Sequence, residues 1–136
     1  MPWDDDTIRR FVLRQISLFE KRGFCRWKLI DKTSGEFIGF CGLGFWRDFE
    51  GDPEIGWWLA RRCWGRGLAS EAAITALRDA FERIQVKRII SVAEVDNLAS
   101  IRIMQKLGLV YDGEFEDGRV RLVRYAILRP DRPNTS

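Results

Sequence analysis

The residues best suited to chemistry lie in one short run, Arg62-Cys63-Trp64-Gly65-Arg66-Gly67, which carries two glycines and two arginines. Glycine has no Cβ, so the backbone N–H groups beside Gly65 and Gly67 can approach a ligand closely. Guanidinium groups bind phosphate through paired N–H donors. Ser70 follows and can cap a helix, whose first N–H groups and dipole favour an anion. This glycine run therefore predicts a pyrophosphate site; the alternative is an ordinary strand–helix turn with solvated arginines.

Three cysteines are the other reactive side chains, and the chain contains no histidine. Without histidine, Cys–His pairs, Ser–His–Asp triads and histidine-rich metal sites are excluded. Cys25, Cys41 and Cys63 form no C-x-x-C pair, so we expect free thiols in a reducing compartment and no metal site. Packing is the favoured role for Cys63, although it lies within the glycine run.

Hydrophobic patterns predict the elements that position this run. Residues 54–59 form an apolar strand that leads into it, and apolar residues at helical spacing over residues 70–84 predict a helix after it. Residues 88–95 are nearly continuously apolar, which is typical of a strand buried on both faces. A second helix begins at Asp96-Asn97 and is ended by Gly108.

The remaining segments complete a mixed sheet with helices on its faces, in the α+β or α/β range. Asp117-Gly118 is a strong hairpin signal. Gly39, Gly42 and Gly44 indicate bulges or the close approach of another group. The strand at 54–59 and the strand at 88–95 should be joined by a right-handed parallel crossover. The other predicted elements are a first helix over 6–21 and strands over 26–31, 37–46, 110–115 and 120–128.

Composition predicts one globular domain over residues 1–136, with a frayed tail at 129–136. The chain is 46% hydrophobic and 32% charged, as in soluble proteins. No apolar run is long enough to cross a bilayer, and the acidic start is unlike a signal peptide, so we expect a cytoplasmic location and no membrane partner. The net charge of +3 is small and its sources are dispersed, so we expect no nucleic-acid partner.

Two motifs resemble those of a known family. The glycine run is similar to the (Q/R)-x-x-G-x-(G/A) signature of the GNAT superfamily of acyl-CoA-dependent N-acetyltransferases. The wider run over residues 54–72, with Asn97-Leu98-Ala99-Ser100 and Lys106-Leu107-Gly108-Leu109, resembles the ribosomal-protein N-terminal (alanine/serine) acetyltransferase branch. The resemblance extends from Thr7 to Leu128, and two motifs at strand–helix junctions are more specific than one glycine signature.

The resemblance implies an α+β GNAT fold: a mixed, mostly antiparallel sheet with helices on both faces and a central parallel pair splayed for acyl-CoA. It implies acetyl-CoA as the cofactor. Its pantetheine arm would pair with the first strand of the central pair, its pyrophosphate would bind the glycine run, and its thiol end would meet the second motif. The implied binding residues are Trp57, Trp58, Leu59, Arg62, Cys63, Trp64, Gly65, Arg66, Gly67, Ala69, Ser70, Asn97, Ser100 and Lys106. Asn97 can equally serve as a helix N-cap, and Lys106 as a solvated residue.

The implied reaction is direct attack of a neutral amine on the acetyl thioester, which requires a base. Glu54 and Glu94 are the candidate bases, and Glu54 is favoured because several family members place their base on this strand. For either residue the alternative is a solvated carboxylate. The tyrosine that many members carry seven residues after the asparagine is Met104 here, so Ser100 or solvent remains to protonate the thiolate.

Members of this branch usually begin with an extra strand and helix, which this sequence lacks. Those elements complete the sheet and wall the acceptor site, so we expect an exposed sheet edge that a homodimer would cover. The expected function is acetyl-CoA-dependent N-acetylation of a primary amine, either a protein N-terminus or a small amine. The alternative is a non-catalytic module that binds or senses acyl-CoA.

Overall fold

The computed structural model describes residues 3–46 and 51–131. Its helices are α1 (Asp5–Arg22), α2 (Leu68–Asp79) and α3 (Leu98–Lys106), and its strands are β1 (Arg26–Ile30), β2 (Phe37–Gly44), β3 (Glu54–Leu59), β4 (Arg88–Glu94), β5 (Val110–Asp117) and β6 (Val120–Leu128). A 3-10 turn, Arg61–Cys63, follows β3, and a π turn, Ala80–Ile84, extends α2. Most of the predicted frayed tail, residues 132–136, lies outside the described residues. None of the helices in the described segments is long and apolar enough to span a membrane.

The strands form a sheet in the order β1-β2-β3-β4-β6-β5. Within the described segments, β3 and β4 run parallel and every other neighbouring pair runs antiparallel. This confirms the predicted mixed, mostly antiparallel sheet. The parallel pair is aligned at Glu54 and Ile90 only, so the two strands part almost where they begin.

Helices cover both faces of the sheet, as predicted. One face of β2 and β3 presents apolar side chains to α2, and Ile55, which is completely buried, lies at the centre of this core. The opposite face carries Phe40, whose ring centroid lies 5.1 Å from that of Phe11 on α1. The alternation of side chains along a strand explains the division, because adjacent residues point to opposite faces.

Two glycines of β2 let its neighbours approach closely, which confirms one of the two alternatives drawn from the glycine pattern. Gly39 and Gly42 have φ angles of 158° and 152°. A Cβ on Gly39 would lie 2.1 Å from the Trp58 carbonyl oxygen, and one on Gly42 would lie 2.1 Å from the Cys25 carbonyl oxygen. The close approach of β3 and β1 to β2 therefore depends on the absence of side chains at Gly39 and Gly42.

We predict that Gly42→Ala lowers the free energy of unfolding by about 3 kcal/mol, because its Cβ overlaps main-chain atoms that cannot rotate away. The control is Gly35→Ala. Gly35 also has a positive φ, 75°, but a Cβ there would meet nothing within 4 Å, so it should cost about 1 kcal/mol. Urea unfolding of both variants measures the difference, and equal losses would contradict the steric explanation.

Candidate active site

The site is organised by the point where β3 and β4 part, which we call the fork. The Val92 N–H on β4 donates to Oε2 of Glu54 at 3.0 Å instead of to a main-chain carbonyl of β3. Beside it, Ser91 Oγ donates to the Ile55 carbonyl oxygen at 2.9 Å. Two side chains thus replace the ladder of a parallel pair. Beyond them, the edge of β3 that faces β4 has no strand partner within the described segments.

A cavity of about 340 Å³ lies in the fork. It brings together Glu54, Ser100 and the two tryptophans of β3, all of which the sequence predicts as site residues. Glu94 is exposed at the end of β4 and does not line it. Met104, which is 1% exposed, places a thioether at the position where the resemblance implies a tyrosine. The full lining is Arg26, Phe40, Trp46, Glu54, Gly56, Trp57, Trp58, Ser91, Val92, Ser100 and Met104.

Glu54 is buried and ion-paired, so the alternative of a solvated carboxylate does not describe it. The residue is 5% exposed, and Arg26 Nη2 donates to its Oε1 at 2.6 Å. Burial raises the pKa of the Glu54 carboxyl above its ordinary value, and the Arg26 charge and the Val92 N–H partly oppose this. A carboxylate whose pKa is raised is a stronger base, which suits it to accept a proton from an ammonium group.

Sequence reasoning missed Arg26. Two signals could have found it: it occupies the face of β1 opposite to Trp27 and Leu29, and the adjacent strand carries glycines at alternate positions. A long cation beside a strip without side chains indicates a guanidinium lying flat on the sheet.

The glycine run supplies unbonded amides from Gly65 onward, whereas the N–H groups of Cys63 and Trp64, which the sequence also predicts as donors to a ligand, donate to the Ala60 and Arg61 carbonyl oxygens. Gly65 and Gly67 have φ angles of 80° and 71°, and a Cβ on either would meet nothing within 4 Å, so conformation rather than space requires glycine. No acceptor within the described part of the chain is hydrogen-bonded to the N–H groups of residues 65–70. These groups, at the N-terminus of a twelve-residue helix, are suited to an anion.

The prediction that Ser70 caps this helix is wrong. Helix α2 begins two residues earlier, at Leu68, and Gly67 is the N-cap residue with no side-chain hydrogen bond. The left-handed conformation of Gly67 turns the chain directly into the helix. Ser70 and Ala69 consequently lie in the first turn, where their N–H groups are among the unbonded ones.

The arginines of the glycine run contact acidic residues around the β1–β2 turn. Arg62 Nη2 donates to the Phe37 carbonyl oxygen at 3.2 Å and lies 3.5 Å from Glu36 Oε2. Arg66 Nη2 lies 3.9 Å from Asp31 Oδ2. Both guanidinium groups are more than half exposed, and such pairs contribute about 0–1 kcal/mol. Arg62 and Arg66 can therefore exchange these carboxylate partners for a phosphate group at little cost in free energy.

Cys63 and Trp64 hold the loop on the sheet. Cys63 is buried beside Ile38 and Leu59, which is the packing role favoured from the sequence. Trp64 Nε1 donates to the Leu59 carbonyl oxygen at 2.8 Å, and the Arg61 guanidinium lies over its ring at 5.4 Å from the centroid. The loop is therefore fixed to the end of β3.

Asn97 caps α3, which confirms one of its two predicted roles. Its Oδ1 accepts a hydrogen bond from the Ser100 N–H at 3.2 Å. Among the residues that the structure describes, no acceptor is hydrogen-bonded to its side-chain N–H₂ group. Lys106 is exposed in the last turn of α3, where a cation is favourable to the helix dipole.

Comparisons with known proteins agree with this geometry. Residues 1–110 match a family model described as an acetyltransferase (GNAT) domain. The chain belongs to the GNAT acetyltransferase family. Members of this family transfer an acetyl group from acetyl-CoA to an acceptor. The predicted membership and the predicted GNAT fold are thus confirmed.

Individual GNAT relatives agree. The uncharacterized N-acetyltransferase p20 of Bacillus licheniformis is 33% identical over 125 residues, which cover 88% of this chain and 70% of p20. The uncharacterized protein YkkB of Bacillus subtilis is 38% identical over 91 residues, 65% of this chain and 52% of YkkB. The solved ribosomal-protein-S5-alanine acetyltransferase of Vibrio fischeri has a TM-score of 0.80 and covers 93% of this chain and 73% of its own. Its identity of 17% shows the fold alone.

The N-cap assignment predicts that Asn97→Ala lowers the free energy of unfolding by about 1 kcal/mol, because the Ser100 N–H loses its acceptor. Asn97→Asp retains a side-chain oxygen in the same place and should restore the wild-type value. Chemical denaturation of the three proteins provides the measurement. An Asp variant as unstable as the Ala variant would contradict the capping role.

Proposed function

We propose that this protein is an acetyl-CoA-dependent N-acetyltransferase that acts on a primary amine, either a protein N-terminus or a small amine. One observation carries the proposal: the β3 edge left open by the fork is followed, after the 3-10 turn Arg61–Cys63, by the run of unbonded amides at residues 65–70. An extended amide-bearing arm followed by a pyrophosphate matches these two features in order. Acetyl-CoA, the acyl donor of the family, has that constitution.

The residues of the fork fit this donor. The main chain of Trp57, Trp58 and Leu59 would pair with the pantetheine amides as an added strand. The N–H groups of residues 65–70 would bind the pyrophosphate, and Arg62 and Arg66 would add charge-assisted bonds. Asn97 and Ser100 would contact the thiol end. The bound donor supplies an activated acetyl group.

The chemistry assigns Glu54 as the base. The acceptor arrives as an ammonium ion and loses a proton to the Glu54 carboxylate, directly or through water. The free amine attacks the carbonyl carbon, an N–C bond forms, and the C–S bond breaks. The attacking nitrogen gives up its second proton to water as the C–S bond breaks. The leaving thiolate takes a proton from water or from Ser100, which regains one from water, since Met104 has none to give. Glu94 is the second candidate base, and its exposure leaves its carboxylate in solvent.

The acceptor would enter through a groove between α1 and the sheet. This groove, of about 730 Å³, shares Arg26, Phe40 and Trp58 with the fork cavity. A row of rings leads along it: the centroids of Trp3 and Phe11, Phe11 and Phe40, and Phe40 and Trp58 lie 5.2, 5.1 and 6.0 Å apart. An amine carried on an apolar body fits this surface better than a polyamine, which would find few carboxylates there.

Two observations favour the alternative function, a non-catalytic acyl-CoA module. Both oxygens of Glu54 already accept hydrogen bonds, and the usual tyrosine is replaced by buried Met104. Calorimetry with acetyl-CoA and a thiol-release assay separate the two functions. We expect micromolar donor binding and turnover with apolar amines or N-terminal peptides. Binding without turnover across both acceptor classes would favour the module, and no binding would exclude both functions.

Glu54→Gln should lower kcat by about 10²–10⁴-fold, because general-base catalysis contributes that much. Donor affinity should remain within about twofold, since Gln retains an oxygen for the Val92 N–H. Glu94→Gln is the matched control and should remain close to wild type. Turnover that survives in Glu54→Gln and disappears in Glu94→Gln would reverse the assignment.

We also expect a homodimer. β1 is an edge strand of the sheet, and α1 has no buried residue. Apolar side chains beside that edge are 43–53% exposed, among them Phe19, Trp27 and Phe37. Pairing of two β1 edges would cover this surface and close the open side of the acceptor groove. Light scattering at micromolar concentration should give twice the mass of the chain, and a monomer would contradict the proposal.

A further inference from the structure

A strip without side chains, formed by Gly42, Gly44 and Gly56, crosses β2 and β3 on the α1 face of the sheet. Arg26 on β1 lies opposite Gly42 on β2, and Gly42 lies opposite Gly56 on β3. A Cβ on Gly56 would lie 3.1 Å from Arg26 Nη2, and one on Gly44 would lie 3.3 Å from Arg26 Nε. The guanidinium therefore lies flat on the main chain, and this surface leaves room for little else.

The strip directs the guanidinium to Glu54. Nη2 of Arg26 donates to Oε1 of Glu54 at 2.6 Å, while Oε2 is occupied by the Val92 N–H. The backbone of Arg26 is fixed from the other side, because its N–H donates to Oε1 of Gln15 on α1 at 2.8 Å. Among the described residues, no acceptor reaches the buried Nε of Arg26. The position of the guanidinium thus depends on sterics and on one ion pair.

Arg26 is the countercharge of the Glu54 carboxylate within the fork. Besides Arg26 and Glu54, the cavity is lined by Phe40 of β2, by Gly56, Trp57 and Trp58 of β3, by Ser91 and Val92 of β4, by Ser100 and Met104 of α3, and by Trp46. None of these is charged. The thiol of Cys41 lies on the opposite face of β2, and burial raises its pKa to about 12. A buried carboxylate in such surroundings favours the neutral form unless a cation is held against it.

We propose that Arg26 is the positioning residue of this enzyme: it holds the Glu54 carboxylate ionised at the mouth of the fork, where the acceptor amine must lose its proton. The proposal rests on the proposed function, in which Glu54 is the base. Arg26 itself touches no reacting atom. Its effect reaches the reaction through the protonation state and direction of Glu54.

The test is the pH dependence of kcat/KM for Arg26→Met, with one acceptor used throughout. Loss of the cation raises the pKa of Glu54, so the ionised base exists only at higher pH. The acid limb of the profile, where kcat/KM falls as Glu54 becomes protonated, should move upward by about 1–3 pH units. At a pH below both limbs, kcat/KM of the variant should be at least about tenfold lower than that of wild type, and it should recover at high pH. Arg121→Met, which removes an exposed strand arginine paired with Glu114 on β5, should leave the limb in place.

Gly56→Ala provides a second variant that keeps the charge. Its Cβ displaces Nη2, so the acid limb should move in the same direction by a smaller amount. This variant tests the proposal even if Arg26→Met does not fold. A limb that stays at its wild-type position in the folded variants would overturn the proposal.

A direct titration of Glu54 separates this proposal from the proposed function. Carbon-13 NMR of labelled glutamate carboxyls, assigned by comparison with Glu54→Gln, measures the pKa in wild type and Arg26→Met. If Glu54→Gln retains turnover, the base assignment fails. A higher pKa of the Glu54 carboxyl in Arg26→Met would still show that Arg26 keeps this carboxylate ionised. An unchanged pKa of the Glu54 carboxyl in Arg26→Met would overturn the Arg26 proposal, whichever residue is the base.

Discussion

The architecture of this protein depends on one substituted hydrogen bond. In an ordinary parallel pair the Val92 N–H would donate to a main-chain carbonyl of β3, and here it donates to the carboxylate of Glu54. A side chain reaches further than a carbonyl, so the strands separate without leaving a buried amide unpaired. The cavity, the open edge of β3 and the route to the glycine run are consequences of that exchange.

The substitution brings a carboxylate into the interior, which is costly unless the charge is paired. Arg26 provides the pairing from two strands away, and it reaches Glu54 because Gly44 and Gly56 present no side chains. The ion pair thereby connects the edge strand β1 to β3 at the centre of the sheet. Gly44 and Gly56 therefore leave space for the guanidinium, whereas Gly39 and Gly42 let the main chains of the neighbouring strands approach β2.

Local patterns were sufficient for much of this arrangement. The glycine run and the Asn97 cap each depend on residues close together in sequence. The parallel pair joins distant residues, Glu54 and Ile90, but the order strand–helix–strand is sufficient to predict it. Arg26 could not be found in this way, because its partner is 28 residues distant and the contact depends on strand register. The start of α2 was misjudged for a related reason: the φ of Gly67, not the capping side chain of Ser70, decides where the helix begins.

The fork also has a kinetic consequence. Its opening is maintained by Glu54 and Ser91 through bonds within the protein, so no strands need to separate when a donor arrives. Association would then be limited by diffusion and orientation instead of by a conformational change. In the proposed binding mode the main chain of β3 is already extended, and the ordering cost would fall on the flexible arm of the donor.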